Sequence, residues 1–340
     1  MPQRVTAEFE VVTPLFLGGA DPVRTVELRA PSIKGVLRFW WRALAWSRHD
    51  GNLEAIRREE SRLFGAAGDD PTSGQSSFAL RARWLQERRS LHTVDVRSLT
   101  DNRPGTGYLS YGVINRGSGQ NPRPCYELGG RFELELRQLR SKKKVEREPQ
   151  SEFDVSIVDA LKLFGLLGDL GGRGRRGWGS VALTRLDGCG EWQAPRMLGE
   201  YKTILESLLQ NSINVGEPPY SAFSMNARVL VLDGGDDPLA ALNRIGESFQ
   251  TFRRENRTFI FGLPHRRFKG DASRRASPLL FHVHKLGGNW AIALTFLRGL
   301  FLPDGKEQYD YGPVHGFLKV LRDGWTPRPI DVLDGANSRQ

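Results

Sequence analysis

The sequence predicts an α+β protein that contains two ferredoxin-like (RRM-like) βαββαβ domains packed together, with insertions. Its 340 residues exceed the usual size of one domain. Short segments that alternate apolar and polar residues are typical of strands, and amphipathic helical segments separate them. We therefore expect an N-terminal domain over 1–190, a second and degenerate domain over 191–330, and a flexible tail over 331–340.

The first half of the chain has the element order of one such unit. Alternation at 4–12 predicts a strand, and 27–31 is extended because the residue before a proline disfavours the helical region. Ser32 is a favourable N-cap for a helix over 33–46. The other elements predicted here are a helix over 53–64, strands over 76–84 and 131–140, a helix over 153–167 and a strand over 180–186. RNA-recognition domains use the same plan.

The stretch 98–122 is rich in Gly, Asn, Pro and Ser, and it also contains Tyr108 and Tyr111. This composition predicts a long exposed loop, and loops of that length are often functional. The pattern relaxes around 188–196, where we place the domain boundary. The elements predicted in the second half are helices over 197–210 and 238–252 and strands over 221–232, 278–284 and 290–296.

Composition favours a polyanionic partner. The net charge is +10, the pI is about 9.8, and 39 of the 49 basic residues are arginine, although a GC-rich genome gives the same bias. The two cysteines cannot form a disulfide framework or a C-x-x-C zinc site, which fits a reducing cytoplasmic setting. No signal core or 18-residue apolar span is present, so we expect a cytoplasmic protein with no membrane contact and no cofactor.

The most informative segment runs from Gly168 to Ser180 and contains six glycines, three arginines and one tryptophan. Glycine lets a backbone approach a ligand closely, and arginine matches phosphate oxygens. Gly172–Gly177 also satisfies the G-x-G-x-x-G dinucleotide fingerprint, but that motif requires a strand before it and a helix after it. The predicted order here is the reverse. The segment, called the glycine loop below, is therefore expected to hold an anionic backbone.

The helix predicted over 33–46 has a basic stripe. Lys34, Arg38 and Arg42 lie at i, i+4 and i+8. They could form an ordinary solvated face, but like charges at this spacing repel unless an anion or an acid neutralises them, which favours a ligand. We interpret Trp40 and Trp41 of the same helix as core residues.

Two histidines and two acidic clusters are the candidates for catalysis. His282 and His284 share one face of a predicted strand and could act as base and acid in RNA cleavage or bind a metal, although no third ligand is evident. Ordinary half-buried histidines are the commoner case. The acidic clusters at 69–70 and 233–237 lie in Gly-rich segments, where Asp favours turns. We therefore predict no catalytic and no metal-binding residue.

Several strings of this sequence are similar to those of one known family. They are Thr13-Pro-Leu-Phe-Leu-Gly-Gly, Pro31-Ser-Ile-Lys-Gly-Val-Leu-Arg-Phe-Trp-Trp-Arg, Arg62-Leu-Phe-Gly, the glycine loop and Arg274-Arg-Ala-Ser-Pro. The chain resembles the RAMP superfamily of CRISPR-associated proteins and, within it, the subunit numbered first in the type III-B Cmr RNA-silencing complex. No motif of this kind occurs over 98–150.

The resemblance implies a non-catalytic subunit that helps capture target RNA near the 3′ end of the guide RNA. Its implied partners are single-stranded RNA, both guide and target, and other Cmr subunits. The residues that the resemblance places at RNA are Gly171, Gly172, Arg173, Arg175, Arg176 and Gly177 of the glycine loop, Lys34, Arg38 and Arg42 of the first helix, and Arg274 and Arg275.

Two alternatives remain open at this stage. Some members of the superfamily cut RNA without metal by means of a histidine, so a metal-independent endoribonuclease that uses His282 or His284 is one of them. The other is an assembly protein whose basic charge meets an acidic protein surface. RNA binding without turnover, cleavage in the presence of a chelator, and protein binding alone distinguish the three.

Overall fold

A computed structural model of the chain contains two four-stranded antiparallel sheets with seven described helices. The structure describes residues 3–19, 21, 25–66, 74–85, 99–113, 124–139, 153–263, 275–300 and 309–334.

The first sheet has the strand order β2-β3-β1-β4. Its strands are β1 (Arg4–Val11), β2 (Phe78–Trp84), β3 (Arg131–Gln138) and β4 (Val181–Asp187). The helices of this half are α1 (Ala30–Arg48), α2 (Leu53–Phe64), α3 (Pro104–Leu109) and α4 (Val155–Leu167).

The second sheet has the corresponding order β6-β7-β5-β8. Its elements are α5 (Leu198–Leu209), β5 (Arg228–Gly235), α6 (Pro238–Glu255), β6 (Leu279–Leu286), β7 (Asn289–Phe296), α7 (Gly312–Gly324) and β8 (Ile330–Asp334). In both halves the third strand of the unit pairs with the first and the second, as in a ferredoxin-like fold, so the predicted fold class is confirmed.

The first sheet has one apolar and one charged face because its strands alternate. Ala7 and Phe9 of β1 face Leu134 and Phe132 of β3 in the core. The opposite face contains four ion pairs, which are Arg83–Glu133, Arg131–Glu8, Arg137–Glu135 and Arg185–Glu8. RNA-recognition domains stack bases on aromatic residues of this face. The positions listed above are occupied by charged residues instead, so they provide no aromatic ring for base stacking.

The second sheet is buried on both faces. Leu230, Phe281 and Leu294 pack with α6 and α7, whereas Val231 and Ala293 belong to the core that also contains α1 and α4. The two halves of the chain therefore share their hydrophobic cores, and the domain boundary at 190 and 191 stays a prediction.

Several predicted elements need correction. The first helix begins at Ala30 and not after Ser32, because Pro31 occupies the first turn, where a missing N–H costs little. The stretch predicted as an exposed loop contains α3, which is fixed on α6. β5 begins at Arg228, seven residues later than predicted, and α7 was missed.

The predicted flexible tail is wrong for 331–334, which belong to β8 and pair with β5. The pairing places Leu333 opposite Val229, and both side chains are buried. Residues 335–340 lie outside the described part of the chain. Because β8 completes the order of the second sheet, the second unit includes residues that the sequence assigned to the tail.

Candidate nucleic-acid interface

A cleft of about 930 Å³ lies where α1, α3, the glycine loop and α6 meet. Its described lining includes Phe39 of α1, Tyr111 after α3, and five arginines, namely Arg173, Arg175, Arg176, Arg253 and Arg275. We call it the arginine cleft. A second cavity of about 420 Å³ shares Phe39, Arg175 and Arg275 with it and reaches Arg42 and Tyr220. The cleft therefore combines residues of both halves of the chain.

The glycine loop connects α4 to β4, so its context is helix–loop–strand and the dinucleotide fingerprint is coincidental. Two of its glycines combine a positive φ with a close neighbour, which is backbone at Gly171 and a side chain at Gly177. Gly171 has φ +86°, and a Cβ there would lie 2.3 Å from the carbonyl oxygen of Phe16. Gly177 has φ +77°, and its Cβ would lie 2.7 Å from Leu242 Cδ1 of α6. These glycines let the loop pack between the segment after β1 and the second unit.

Arg176 points from the glycine loop into the second unit. Its Nη2 donates a hydrogen bond to the carbonyl of Phe261 at 2.9 Å, and its guanidinium carbon lies 4.9 Å from the centre of the Phe249 ring. Burial lowers the pKa of Arg176 to about 9, and the nearby Arg253 contributes in the same direction. The side chain joins the two halves, so the prediction that it faces RNA is not supported by these contacts.

Arg175 occupies an intermediate position. Its Nη1 donates a hydrogen bond to the carbonyl of Ser277 at 2.6 Å, and its guanidinium carbon lies 5.0 Å from the centre of the Phe39 ring. Burial, followed by the charge of Arg275, lowers the pKa of Arg175 to about 10, so it remains a cation at neutral pH. It lines both cavities at the position where they meet.

Arg173 is exposed and adopts a left-handed backbone conformation with φ +63°. This conformation costs a non-glycine residue about 1 kcal/mol or more. In a loop with so many glycines, the strained position is nevertheless occupied by arginine. No described residue accepts a hydrogen bond from its guanidinium, which packs over Gly112. The observation points to a role for the side chain itself.

The positive charge of the arginine cleft is poorly compensated within the protein. Arg176 Nη1, Arg253 Nη1 and Arg275 Nε are buried and have no hydrogen-bond partner among the described residues. Asp169 is the one acid in the described lining, and burial raises its pKa well above the ordinary value, which favours the neutral acid. Unsatisfied buried donors call for an explanation, and a bound anion supplies one.

The basic stripe of α1 has a different environment. Glu60 of α2 accepts hydrogen bonds from Arg42 Nε and Nη2, both at 2.5 Å, and lies 2.6 Å from Arg38 Nε. The hydrogen bonds to Glu60 raise the pKa of Arg42. Glu60 carries one negative charge, so it compensates one of these two positive charges, and their repulsion no longer requires a ligand on its own. Their contact with RNA stays a prediction.

Lys34, the third basic residue of the stripe, has its Nζ 5.2 Å from the centre of the Phe78 ring, and burial, followed by the charge of Arg38, lowers its pKa.

The remaining predicted residues lie elsewhere. Arg275 lines both cavities, and its Nη2 donates a hydrogen bond to Ser221 Oγ at 3.1 Å. Arg274 lies outside the described residues. Trp40 and Trp41 are buried, as predicted.

His282 and His284 are deeply buried between the two halves, each with 1% of its surface exposed. His282 Nδ1 lies 3.5 Å from Asp169 Oδ1, and Ser180 Oγ donates a hydrogen bond to the same carboxyl oxygen at 2.6 Å. Burial lowers the pKa of His282 to about 3 and that of His284 well below its ordinary value. The predicted shared face is correct, but the prediction that they are half-buried is wrong, because α4 and α5 cover them.

The acidic cluster at 233–237 forms turns. Asp233 accepts a hydrogen bond from the backbone of Gly235, and Asp237 caps α6 by accepting one from Leu239. Within the described ranges, no three His, Cys, Asp or Glu side chains lie close enough together to hold a metal ion. None of the described helices is both long enough and apolar enough to cross a bilayer. Residues 69 and 70 lie outside the described part.

Comparison with known proteins agrees with the architecture. The family model of the RAMP superfamily matches residues 8–182, which is more than half of the chain. The chain belongs to the RAMP superfamily. The match includes the second half of β1, the basic stripe of α1 and the whole glycine loop, whereas the string at 274–278 lies outside the family region.

Two curated relatives of this RAMP protein come from Pyrococcus furiosus. It is 26% identical to CRISPR system Cmr subunit Cmr1-1 over 307 residues, which cover 83% of this chain and 84% of the relative. It is 28% identical to Cmr subunit Cmr1-2 over 182 residues, or 53% of this chain and 94% of the relative.

Two solved structures have the same fold. Crystalline Cmr1 from Pyrococcus furiosus in its apo form gives a TM-score of 0.69 at 23% identity, with 98% of this chain and 99% of that chain covered. A chain of the type III-B Cmr-beta complex bound to cognate target RNA gives 0.59 at 15% identity, covering 94% and 99%.

Sequence reasoning missed two residues of this RAMP protein that define the charge of the site. Arg253 reaches the cleft from the last turn of α6, where its guanidinium carbon lies 5.0 Å from the centre of the Phe261 ring. Glu60 reaches Arg38 and Arg42 of the α1 stripe from α2 and compensates part of their charge. The helical pattern of 53–64 gave the helix that contains Glu60, but only the packing of α2 on α1 selects it as the partner.

Proposed function

We infer that this chain is a subunit of a type III-B Cmr effector complex, that it binds single-stranded RNA in the arginine cleft, and that it does not cut RNA. The observation that carries the inference is the uncompensated charge of the cleft. Five arginines line its described part, three of them have buried N–H groups with no partner among the described residues, and burial favours the neutral form of Asp169. Phosphate oxygens are the acceptors that guanidinium groups match best.

The relatives support the assembly part of the proposal. Both curated relatives are named as Cmr subunits, and the Cmr-beta structure contains cognate target RNA. By this similarity, the partners of the chain are other Cmr subunits together with guide and target RNA, and the complex works in the cytoplasm. Target capture near the 3′ end of the guide remains the finer part of the proposal.

Within the glycine loop, the structure supports RNA contact by Arg173 and by the exposed side of Arg175. Arg176, Gly171 and Gly177 support the loop by packing, while Gly172 borders Phe16 and Val113 at ordinary contact distances. Arg275 joins the site from the second unit. In this arrangement the backbone phosphates follow the cleft from Arg173 past Arg175 to Arg275.

The endoribonuclease alternative is disfavoured by burial. A general acid or base must come within about 3 Å of the proton that it transfers. His282 and His284 are covered by protein, and the lowered pKa of each keeps the imidazole neutral, so neither can donate a proton to a leaving group at neutral pH. The assembly-protein alternative predicts the same cleft but no RNA affinity.

A fluorescence anisotropy titration tests the proposal. Labelled single-stranded RNA is titrated in EDTA over a salt series with the wild type, with Arg173→Gly and with Arg58→Ala, an exposed arginine of α2 outside the cleft. Arg173→Gly removes the charge and also relieves the left-handed backbone, so the fold is preserved. We expect salt-dependent binding by the wild type and by Arg58→Ala. For Arg173→Gly we expect weaker binding, with a slope of log K against log salt that is smaller by about one.

Denaturing gels of the same samples report cleavage. Shortened RNA in EDTA that depends on His282 or His284 would support the nuclease alternative. Absence of RNA binding by the wild type, combined with stable complexes with other Cmr subunits, would support the assembly alternative. Equal binding by the wild type and Arg173→Gly would remove the glycine loop from the site.

A further inference from the structure

An exposed aromatic ring lies at the arginine cleft beside its least constrained arginine. Tyr111 has 72% of its surface exposed and lines the cleft. Single exposed tyrosines are common on protein surfaces. Tyr111 differs because a guanidinium group without a described acidic partner lies next to it.

Tyr111 and Arg173 are close to each other. Gly112 follows Tyr111 with φ +85°, and a Cβ built on Gly112 would lie 2.9 Å from Arg173 Nη2. The guanidinium therefore packs over the backbone next to Tyr111, in the space that a side chain at position 112 would occupy. The negative charge of an ionised Tyr111 would also oppose the lowering of the Arg173 pKa that burial causes.

The element that presents Tyr111 is rigidly attached. The backbone N–H groups of Gly105 and Thr106 donate hydrogen bonds to Asn243 Oδ1 of α6 at 2.9 and 3.3 Å. A Cβ on Gly105 would lie 2.0 Å from the carbonyl oxygen of Asn243, so α3 and α6 are in direct backbone contact. Tyr108 packs edge-on against Phe249 with ring centres 6.0 Å apart. The backbone that leads to Tyr111 is thus fixed on α6, and the exposed ring extends from it.

We propose that Tyr111 and Arg173 form one nucleotide subsite at the arginine cleft, in which the phenol ring stacks on an unpaired base and the guanidinium binds an adjacent phosphate. The proposal deepens the RNA-binding function inferred above and depends on it. It makes the substrate class single-stranded RNA, since a base in a duplex is already stacked and paired. Stacking tolerates any base because every base has a π-face.

The two members of the subsite have separable signatures. Removing a phosphate contact lowers the salt slope, whereas removing a stacking platform lowers affinity at every salt concentration and leaves the slope unchanged. The experiment is an anisotropy titration over a salt series with the wild type, Tyr111→Ala, Tyr111→Phe and Arg173→Gly. Met197→Ala, an exposed apolar residue outside the cleft, serves as the matched control. Single-stranded RNA and its pre-formed duplex are the probes.

We expect Tyr111→Ala to bind single-stranded RNA roughly tenfold more weakly, within the range that alanine substitution of a stacking residue produces. Its salt slope should equal that of the wild type. Tyr111→Phe and Met197→Ala should bind within about twofold of the wild type, and the affinity for duplex should not change in Tyr111→Ala.

Four results would overturn the subsite. Wild-type affinity in Tyr111→Ala, while Arg173→Gly binds weakly, removes the stacking role and leaves the RNA-binding function intact. Equal loss in Tyr111→Phe and Tyr111→Ala assigns the effect to the hydroxyl. Unchanged RNA binding by Tyr111→Ala, with loss of assembly with Cmr subunits, makes the ring a protein contact. If the wild type binds no RNA, the proposed function and the subsite both fail.

Discussion

Arg42 of α1 and the arginines of the glycine loop border cavities lined by Phe39, and the two groups of arginines differ in what surrounds their charge. Arg38 and Arg42 lie against Glu60, an acid with only 11% of its side chain exposed. The acid near the arginines of the loop is Asp169, and burial raises its pKa, which favours its neutral form. Two stretches that look equally basic in sequence are therefore an internal ion-pair network and a candidate anion site.

The same contrast exists within the glycine loop. Arg176 is fixed by a carbonyl and two phenylalanine rings of the second unit, Arg175 by a carbonyl and one ring, and Arg173 by neither. From Arg176 through Arg175 to Arg173, the side chain has fewer contacts with the protein and is more exposed. Arg176 is held in place although its buried Nη1 has no partner among the described residues, whereas the exposed Arg173 has neither kind of contact and is available to a ligand.

The largest effect should come from the most constrained of these arginines. Arg176→Ala should lower the free energy of unfolding by about 2–4 kcal/mol, because it removes a hydrogen bond from a charged donor and contacts with two rings. Arg173→Gly should leave it unchanged or raise it by up to about 1 kcal/mol, because glycine accepts the left-handed conformation. Urea denaturation measures both values. Wild-type stability in Arg176→Ala, together with lost RNA affinity, would make Arg176 a ligand residue and remove the contrast.

Much of the fold follows from local patterns. Strict alternation in β1 and β3 and the amphipathic pattern of α2 gave elements that differ from the structure by few residues. α3 could not be predicted, because its six residues include Pro104, Gly105 and Gly107, all poor helix formers. It exists because Gly105 fits against the backbone of α6, a contact between residues 138 positions apart. β8 likewise depends on pairing with a distant strand.

The candidate site was predictable in composition but not in detail. The glycine loop was identified from its residue types, but residue types alone do not rank its three arginines. Their ranking depends on the backbone conformation of Arg173 and on rings supplied by α6 and β6. No feature of the sequence distinguishes Glu60 from other acids, because acidic residues are common on amphipathic helices. Only the packing of α2 on α1 brings it to Arg38 and Arg42.

Asp169, the acid within the glycine loop, allows the charge balance of the arginine cleft to be tested by varying the pH. His282 and His284 stay neutral in the folded protein, with pKa values below the ordinary 6.5. The unfolded chain therefore binds more protons below pH 6.5, and the free energy of unfolding falls on acidification by up to about 1.4 kcal/mol per pH unit for each histidine. Asp169 acts with the opposite sign. Its raised pKa gives stability that is present below pH 3.8 and is lost as the pH rises through the folded value.

Urea denaturation between pH 4.5 and 7 measures this slope. His282→Gln should flatten it by about 1.4 kcal/mol per pH unit, and Asp169→Asn should steepen it because the opposing group is removed. An unchanged slope in Asp169→Asn would mean that Asp169 is ionised in the fold. The cleft would then contain a compensating charge, and its contrast with the α1 stripe would be smaller than the contacts indicate.

The smallest expected effect tests the other side of the comparison. Glu60→Gln keeps the shape of the side chain but leaves Arg38 and Arg42 without their acid. The free energy of unfolding should fall by only about 1 kcal/mol, because both arginines are partly exposed and solvent screens the pairs.

RNA affinity at low salt should rise, by about fivefold if one pair of this strength is released, because two cations beside Phe39 become available to phosphate. Glu54→Gln, whose carboxylate pairs with Arg58 on the same helix, is the matched control and should leave affinity unchanged. If Glu60→Gln also leaves affinity unchanged over the salt series, RNA does not reach α1, and the binding path ends at the arginine cleft.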